Sequence, residues 1–269
     1  MFSKYLNIEL YKKFCIKLLE KHPFGYLIGT LFVKFDIFLP HEDDYYGFKV
    51  LQQRGLPGKK VILDIGGNQG HSSRGFFKIL DEYEVVCFEA LDLHKESLNK
   101  IKLKYKNKFN YYIKSVGNES QIIKEIFMPF YHGLALHSAA ALDLKSVYSI
   151  IYGMWPKLKF ENSIVIKKLI SEMIRIDELN LEFNMMKIDI QGAEYQALIG
   201  MENSIILNKP VILIETQIGS ENLDQLLKRL GYSPYIYNAT TKEFTCGTSL
   251  NGRNTFYIPL CYNFLINYK

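Results

Sequence analysis

Apolar and polar positions along the chain alternate between two periods, one typical of buried strands and one typical of amphipathic helices. Short continuous apolar runs, rich in β-branched and aromatic side chains, predict strands. These runs lie at 61–65, 84–89, 109–116, 185–190 and 210–215. Apolar residues at intervals of three and four predict helices between them, at 72–80, 93–105, 193–201 and 222–230. Strands that alternate with helices predict a parallel, doubly wound α/β sheet.

The segments outside this alternation predict a more varied structure. A short strand is expected at 125–128 and an extended segment at 164–176, and two further strands are expected at 235–237 and 255–258. The long connection at 129–161 contains small residues and two histidines, and its length is typical of a lid, a binding loop or a helical insert.

The first 55 residues differ in pattern from the rest of the chain. Residues 3–21 place apolar side chains at helical spacing and five lysines elsewhere, which predicts a basic amphipathic helix. This helix either packs on the main domain, contacts a second copy in a homodimer, or lies on a membrane surface. Prolines and glycines up to Pro57 predict a boundary, with an N-terminal helical extension at 1–55 and the main domain at 56–269.

Composition limits the classes of function. The 33 basic and 28 acidic residues give a formal charge of +5, which suits an anionic substrate or a membrane surface but does not predict nucleic-acid binding. The four cysteines have no disulfide-framework or metal-finger spacing, so a reducing compartment is expected. The apolar segment at 24–39 contains Lys34 and Asp36 and is too short to span a bilayer. With no evident secretory signal, these features predict a cytoplasmic protein.

The stretch from Val61 to Gly70 carries the clearest chemical pattern in the chain. An apolar strand stops at glycines around Asn68, and a helical segment follows from Ser72. This order brings bare backbone N–H groups and a helix N-terminus against a ligand. Asp64, at the end of the strand, supplies an acceptor for the same ligand.

Polar residues follow the ends of several predicted strands. They are Asp64, Glu89, Ser115, Asp189 and Glu215. Ligands of open parallel sheets bind outside the carboxyl ends of the strands, so these side chains are expected to line one cleft. Glu89 lies 19 residues after Gly70, where a carboxylate can accept hydrogen bonds from ribose hydroxyls. An acid in this position serves NAD, FAD and S-adenosylmethionine alike.

The spacing of the glycines separates these cofactors. Dinucleotide folds use Gly-x-Gly-x-x-Gly to seat a pyrophosphate on the helix N-terminus, whereas this turn reads Asp64-x-Gly66-Gly67-Asn68-x-Gly70. A carboxylate repels pyrophosphate but attracts the ammonium and sulfonium groups of S-adenosylmethionine. One alternative, a nicotinamide-dependent oxidoreductase, would need the glycine spacing that is absent. Another, a non-catalytic α/β binding module, would predict a damaged turn.

Several motifs resemble, in the same order, those of FkbM-type methyltransferases. They are Asp64-Ile-Gly-Gly-Asn-Gln-Gly70, Phe88-Glu89-Ala90, Ile176-Asp-Glu-Leu179, Met186-Lys187-Ile-Asp-Ile-Gln-Gly-Ala-Glu194, Leu198-Ile-Gly200, Pro210-Val-Ile-Leu-Ile-Glu215 and Leu230-Gly-Tyr232. The resemblance implies a seven-stranded, mostly parallel Rossmann-like fold with an antiparallel last strand. It also implies S-adenosylmethionine as cofactor and O-methylation of a sugar, a glycan or a related secondary metabolite. Two positions depart from the family pattern, since Ala90 replaces a usual proline and Gln191 replaces a frequent glutamate.

The predicted cofactor site combines the glycine turn with the strand ends that follow it. Its residues are Asp64, Gly66, Gly67, Asn68, Gly70, Glu89, Ala90, Ser115, Val116 and Asp189. Methyl transfer to a hydroxyl is helped by a base within hydrogen-bond reach. Asp189 is the first candidate for this catalytic base and is otherwise a cofactor-orienting acid, and His137 and His132 are the next candidates. Glu215 is a candidate for binding substrate or a cation.

The acceptor of the methyl group is not specified by any motif. The expected partner is a small molecule or a glycan, and the segment at 129–161 and the first 55 residues are expected to select it. Asp189, Glu215 and a histidine could form a metal site, but none is assigned, because the spacing of acids and histidines is not typical of zinc.

Overall fold

A computed structural model describes residues 42–131, 133–154, 164–216, 221–249 and 253–266 of the 269-residue chain. Contacts divide the chain into two compact units. The larger unit comprises Leu39–Lys124 and Ser171–Lys269, and the smaller unit comprises Met1–Phe38 and Glu125–Ile170. The predicted helix at 3–21 lies outside the described residues, and the predicted boundary near residue 55 stays a prediction.

Strands and helices alternate along most of the larger unit. In chain order, the helices are α1 (Tyr45–Gln53), α2 (His71–Ile79), α3 (Lys95–Tyr105), α4 (Leu144–Met154), α5 (Glu194–Ile199), α6 (Glu202–Asn208), α7 (Glu221–Arg229) and α8 (Asn263–Ile266). The strands are β1 (Val61–Ile65), β2 (Glu84–Glu89), β3 (Phe109–Ile113), β4 (Ser115–Val116), β5 (Ile123–Tyr131), β6 (Leu134–Ala135), β7 (Ile164–Ile174), β8 (Met185–Ile188), β9 (Val211–Thr216), β10 (Tyr232–Asn238), β11 (Glu243–Cys246) and β12 (Arg253–Pro259). Within the described ranges, no helix has the length and apolar character that crossing a membrane requires.

Eight strands of the larger unit form one sheet, in the order β11-β10-β12-β9-β8-β1-β2-β3. The five strands β9-β8-β1-β2-β3 are parallel to one another. Strand β12 lies between β9 and β10 and is antiparallel to both, and β11 pairs antiparallel with β10 at the edge. The predicted Rossmann-like sheet with an antiparallel last strand is therefore confirmed, and β11 adds an eighth strand that was not predicted.

Both faces of the sheet are covered by helices, as the unbroken apolar strands predicted. Strand β1 is central and buried along its whole length, with Ile62 packed in one apolar cluster and Leu63 in the other. The first cluster includes Phe48 of α1, Phe76 of α2 and Leu98 of α3, and the second includes Ala197 of α5, Ile205 of α6 and Leu227 of α7. The polar strand ends are thus held by a packed core.

Helix α1 belongs to this core, although it precedes the predicted boundary at residue 55. Its side chains Tyr45, Phe48 and Leu51, which lie three residues apart, are fully buried. The ring of Phe48 meets the rings of Phe76 and Phe256 edge-on, with centroids 5.8 and 5.2 Å apart. Burial of each such side chain contributes roughly 1.5–3 kcal/mol. The packing of the sheet therefore depends on α1.

The smaller unit has a core of its own. Strands β5 and β6 pair antiparallel, and Phe127 forms a separate antiparallel bridge with Ala141. The buried cluster of this unit consists of Leu136, Ala139, Ala141, Val147 and Ile151. The described part of the long connection predicted at 129–161 thus contains β6 and α4, which agrees with a helical insert.

Candidate active site

The turn between β1 and α2 packs tightly against the ends of two neighbouring strands. Gly66 and Gly70 have φ angles of +85° and +79°, in the region that favours glycine. The N–H groups of Gly66 and Gly67 both donate to the carbonyl of Phe88, at 2.8 and 3.1 Å. A Cβ atom on Gly66 would lie 1.9 Å from the carbonyl oxygen of Asp189. The close approach of these backbones therefore requires glycine at residue 66.

Asp64 joins this turn to the start of α2. The side chain is fully buried, and its Oδ2 accepts hydrogen bonds from the hydroxyls of Ser72 and Ser73, at 2.6 and 2.5 Å. Its Oδ1 is also buried and has no hydrogen-bond partner in the described part of the chain. One oxygen of Asp64 therefore has a structural role, and the other is left for an additional donor.

Glu89 links the end of β2 to the glycine turn. Its carboxylate is 6% exposed and accepts hydrogen bonds from the backbone N–H groups of Asn68, at 2.7 Å, and Leu91, at 2.8 Å. Burial raises the pKa of Glu89 to about 7, even though these N–H donors act in the opposite direction. Each carboxylate oxygen retains a second lone pair, so Glu89 can also accept from a ligand hydroxyl.

Asp189 follows β8 and forms an ion pair with a buried lysine. Its Oδ2 lies 3.1 Å from Nζ of Lys187, which is 3% exposed, and its Oδ1 accepts from the amide of Gln191 at 3.2 Å. Burial alone would lower the pKa of Lys187, but the carboxylates of Asp189, Asp64 and Glu42 raise it above its ordinary value. Lys187 and Asp189, two residues apart in one motif, are thus paired at the end of β8.

Glu194, at the first position of α5, holds the loop after β8. Its carboxylate accepts hydrogen bonds from the N–H groups of Ile190, at 3.1 Å, and Gly192, at 2.9 Å. Gln191, between them, has a φ of +54°, so this bonding supports a backbone conformation that is uncommon for glutamine. The loop presents the Gln191 amide to Asp189.

Glu215 is the second-last residue of β9, next to the end of β8. Its carboxylate is half-buried and has no hydrogen-bond donor among the residues that the structure describes. Burial, followed by the negative charges of Asp189 and Glu42, raises its pKa to about 7. Glu215 is thus an acceptor at this edge of the sheet that the described residues leave available.

Glu42 is a member of this group that sequence reasoning missed. It precedes α1, and its carboxylate accepts a hydrogen bond of 2.6 Å from the amide of Asn254. The same amide lies 3.1 Å from Asp44, and Asn254 stands opposite Glu215 in the pairing of β12 with β9. The acidic run at 42–44 was visible in the sequence, but nothing local connects it to residue 254.

Three other predicted cofactor residues lie at or beyond the ends of β2 and β3. Ala90 follows β2 directly and is partly exposed. Ser115 and Val116 form β4, which pairs with β7 and not with the large sheet. Ser115 donates to the carbonyl of Glu172 at 3.3 Å, and the side chain of Val116 is buried in the core. Their contribution to a cofactor site stays a prediction.

The two candidate histidines are not part of the larger unit's described strand ends, and their role as bases stays a prediction. His137 lies in the smaller unit, in a short 3-10 turn at His137–Ala139, and burial lowers its pKa below the ordinary value. His132 lies outside the described residues. In the described ranges, no group of three or more His, Cys, Asp or Glu side chains is arranged to hold a metal ion.

The parallel sheet, with helices on both faces and acids at its strand ends, defines a Rossmann-like α/β fold. A model of the "Methyltransferase FkbM domain" matches residues 64–234, which include the glycine turn, Glu89, Asp189 and Glu215. The chain therefore belongs to the FkbM methyltransferase family, as its motifs predicted.

Solved structures of methyltransferases are similar to this chain at low sequence identity. A methyltransferase FkbM from Methylobacillus flagellatus KT is 14% identical with a TM-score of 0.45, and the match covers 74% of this chain and 43% of that one. This chain thus spans less than half the length of that protein. A precorrin-6y C5,15-methyltransferase from Geobacter metallireducens GS-15 is 9% identical with a TM-score of 0.36, covering 78% of this chain and 84% of that one. A search of curated proteins finds no match.

Proposed function

We propose that this protein is an S-adenosylmethionine-dependent O-methyltransferase that acts on a hydroxyl of a sugar, a glycan or a related secondary metabolite. The observation that carries the proposal is a glycine turn flanked by two acids: Asp64 accepts from Ser72 at the start of α2, and Glu89 accepts from the N–H of Asn68 in the turn. Membership of the FkbM family supports methyl transfer. The chemistry of the turn supports S-adenosylmethionine as the methyl donor.

The groups around the turn fit a cation better than a pyrophosphate. The segment from Gly66 to Gly70 contains no basic residue. Oδ1 of Asp64 is buried without a partner among the described residues, so a cationic or hydrogen-bond-donating group of a ligand would satisfy it. The ammonium and sulfonium groups of S-adenosylmethionine have this chemistry, whereas a pyrophosphate would add a second negative charge.

When bound, S-adenosylmethionine supplies a methyl group that its sulfonium activates for displacement. In the proposed reaction, Glu89 accepts hydrogen bonds from the ribose hydroxyls through the lone pairs that Asn68 and Leu91 leave available. Asp189, fixed by Lys187 and Gln191, orients the bound molecules at the end of β8. Such positioning supplies much of the rate enhancement of a displacement reaction.

A hydroxyl acceptor agrees with the number of carboxylates at the strand ends, because a hydroxyl must lose its proton during the transfer. The net charge of +5 is too small to indicate a nucleic-acid substrate, and the proposed acceptor is a small molecule or a glycan. A cytoplasmic location, a homodimer and membrane contact through residues 3–21 stay predictions.

Calorimetric titration of the purified protein with S-adenosylhomocysteine tests the donor. We expect binding in the micromolar range and none to NAD, and Glu96→Ala on the exposed face of α3 serves as a control that should bind as the native protein does. Absence of binding at millimolar ligand would refute the proposal, and a preference for NAD would support an oxidoreductase.

Transfer of a tritiated methyl group to a panel of mono- and oligosaccharides tests the acceptor class. We expect label in a product that retains it after base treatment, since an ether is stable to base and an ester is not. Label confined to a nucleic acid or to a nitrogen would contradict O-methylation of a carbohydrate.

A further inference from the structure

We propose that Glu215 is the residue that takes the proton from the acceptor hydroxyl, and that Asp189 positions the bound molecules without acting as the base. This inference rests on the proposed O-methyl transfer and assigns a residue to its proton-transfer step. It differs from the sequence-based expectation, in which Asp189 was the first candidate.

The hydrogen bonds of the strand-end acids distinguish Glu215 from the others. Asp64 is bound by two serine hydroxyls, Glu89 by two backbone N–H groups and Glu194 by the N–H groups of its loop. Each of these carboxylates already holds a part of the fold in place. In the described part of the chain, only Glu215 among the strand-end acids of β1, β2, β8 and β9 has a carboxylate with no donor.

Asp189 is held by partners that oppose its use as a base. Lys187 binds one of its oxygens at 3.1 Å and Gln191 the other at 3.2 Å. A proton placed on Asp189 would neutralise the partner of a buried ammonium, and an uncompensated buried charge is costly. The ion pair and the amide hydrogen bond therefore suit Asp189 to a positioning role.

The location and charge of Glu215 suit a base near neutral pH. Ile188 and Ile214 pair in the parallel register of β8 and β9, and Asp189 and Glu215 follow them directly. The charged groups that face Glu215 are Asp189, Glu42 and Glu194, which raise its pKa, and Lys187, which lowers it. With burial as the largest cause, the pKa is about 7, close to the pH at which a base is most effective.

The atoms and charges of the methyl-transfer step balance when Glu215 accepts the proton. The acceptor oxygen forms a bond to the methyl carbon while the bond from that carbon to sulfur breaks, and the bonding pair stays on sulfur. The hydroxyl proton moves to the carboxylate of Glu215, which becomes neutral and later releases the proton to water. No oxidant or reductant is needed.

A titration of the free protein tests the assignment independently of turnover. Protein labelled with 13C at the glutamate carboxyl is followed by NMR, and Glu215→Gln and Glu89→Gln identify the two resonances expected to titrate near pH 7. A Glu215 resonance that titrates near its ordinary value of 4.5 would overturn the inference.

Kinetics on the saccharide acceptor found in the panel complete the test, at saturating S-adenosylmethionine. We expect the native kcat to rise with pH to a plateau above about 7, and Glu215→Gln to lower kcat by about 100-fold with this rise abolished. Asp189→Asn should have a lower kcat at every pH, but its kcat should still rise with pH as in the native protein. Glu182→Gln changes an exposed glutamate paired with Lys59 and should match the native protein.

The outcomes separate the two proposals. If S-adenosylhomocysteine binds and Glu215→Gln keeps more than a tenth of the native kcat, Glu215 is not the base and the proposed function stands. Loss of the pH-dependent rise in Asp189→Asn would return the role of base to Asp189. If the native protein binds no S-adenosylhomocysteine, both proposals fail.

Discussion

The backbone N–H of Asn68 donates to Oε2 of Glu89 at 2.7 Å, so the acid that ends the second strand also holds the turn that follows the first. Asn68 has a φ of +51°, and this hydrogen bond helps to keep it in that uncommon conformation. One carboxylate thus determines the shape of the turn and supplies the acceptor for a ligand hydroxyl. Its removal should affect both.

We expect Glu89→Ala to weaken the binding of S-adenosylhomocysteine by about 1–3 kcal/mol, because charge-assisted hydrogen bonds to the ribose and to the turn are lost. The measurement is calorimetric titration at fixed pH, with Glu96→Ala as the matched exposed control. An unchanged dissociation constant in Glu89→Ala would show that this carboxylate does not hold the ribose.

The pKa of Glu89 also predicts how stability depends on pH. The folded-state pKa is about 7 and the ordinary value is 4.5, so the folded protein holds this proton more tightly than the unfolded chain does. The resulting stabilisation is present below about pH 4.5 and is lost as pH rises through about 7.

Raising the pH from about 5 to about 7.5 should therefore lower the free energy of unfolding of the native protein. In Glu89→Gln, whose side chain cannot ionise, the decrease should be smaller by about 2 kcal/mol. Urea denaturation at the two pH values measures the difference. Glu96→Gln should follow the native protein. Equal losses in Glu89→Gln and the native protein would contradict the raised pKa.

Two glycines with similar backbone angles provide a test of the turn. Gly66 and Gly55 have φ angles of +85° and +90°, but a Cβ on Gly66 would meet the Asp189 carbonyl whereas a Cβ on Gly55 would meet nothing within 4 Å. We expect Gly55→Ala to cost about 1 kcal/mol of backbone strain. Gly66→Ala should cost at least twice as much and abolish S-adenosylhomocysteine binding, and equal effects of the two would disprove the packing argument.

The buried ion pair predicts a strong coupling between Lys187 and Asp189. Lys187→Met should lower the free energy of unfolding by about 3–5 kcal/mol, because it leaves buried carboxylates without their cation. Adding Asp189→Asn should restore part of this loss. For the exposed pair of Lys59 and Glu182, Lys59→Met should cost less than about 1 kcal/mol. Simple additivity in a double-mutant cycle at 187 and 189 would show that the two do not interact.

Removal of α1 tests the predicted boundary at residue 55. A chain that begins at residue 56 lacks Tyr45, Phe48 and Leu51, which are fully buried in the core. We expect it to lose cooperative thermal unfolding and to aggregate, whereas a chain that begins at residue 40 should unfold cooperatively. Circular dichroism and size-exclusion chromatography measure both, and equal melting temperatures would establish the boundary at 55.

The accuracy of the sequence predictions followed the range of the interactions that fix each element. Strands β1 and β2 have the predicted bounds, since each is an apolar run that ends at polar residues or glycine. Helix α6 was missed because its exposed Ile206 and Leu207 blur the apolar face. Strand β11 was missed because it lies at the sheet edge and buries none of its side chains fully.

The candidate site shows the same limit. The glycine turn and its acids could be predicted because they lie within single motifs. The contact of Glu42 with Asn254 joins residues 212 positions apart, and no local pattern encodes it. The unequal bonding of Asp189 and Glu215, on which the assignment of the base depends, is likewise visible only once β8 and β9 are side by side.

The position of β12 has a consequence for synthesis on the ribosome. This strand lies between β9 and β10. In the described part of the sheet, β10 pairs with β12 on one side and with β11 on the other. Because translation proceeds from the N-terminus, β9 emerges with an open edge and the β10–β11 hairpin emerges with no place in the sheet. Neither β9 nor this hairpin can pair with β12 until residues 253–259 leave the exit tunnel. Nascent chains stalled before that point should therefore expose a templating edge and depend on chaperones, and the sheet closes in one late step.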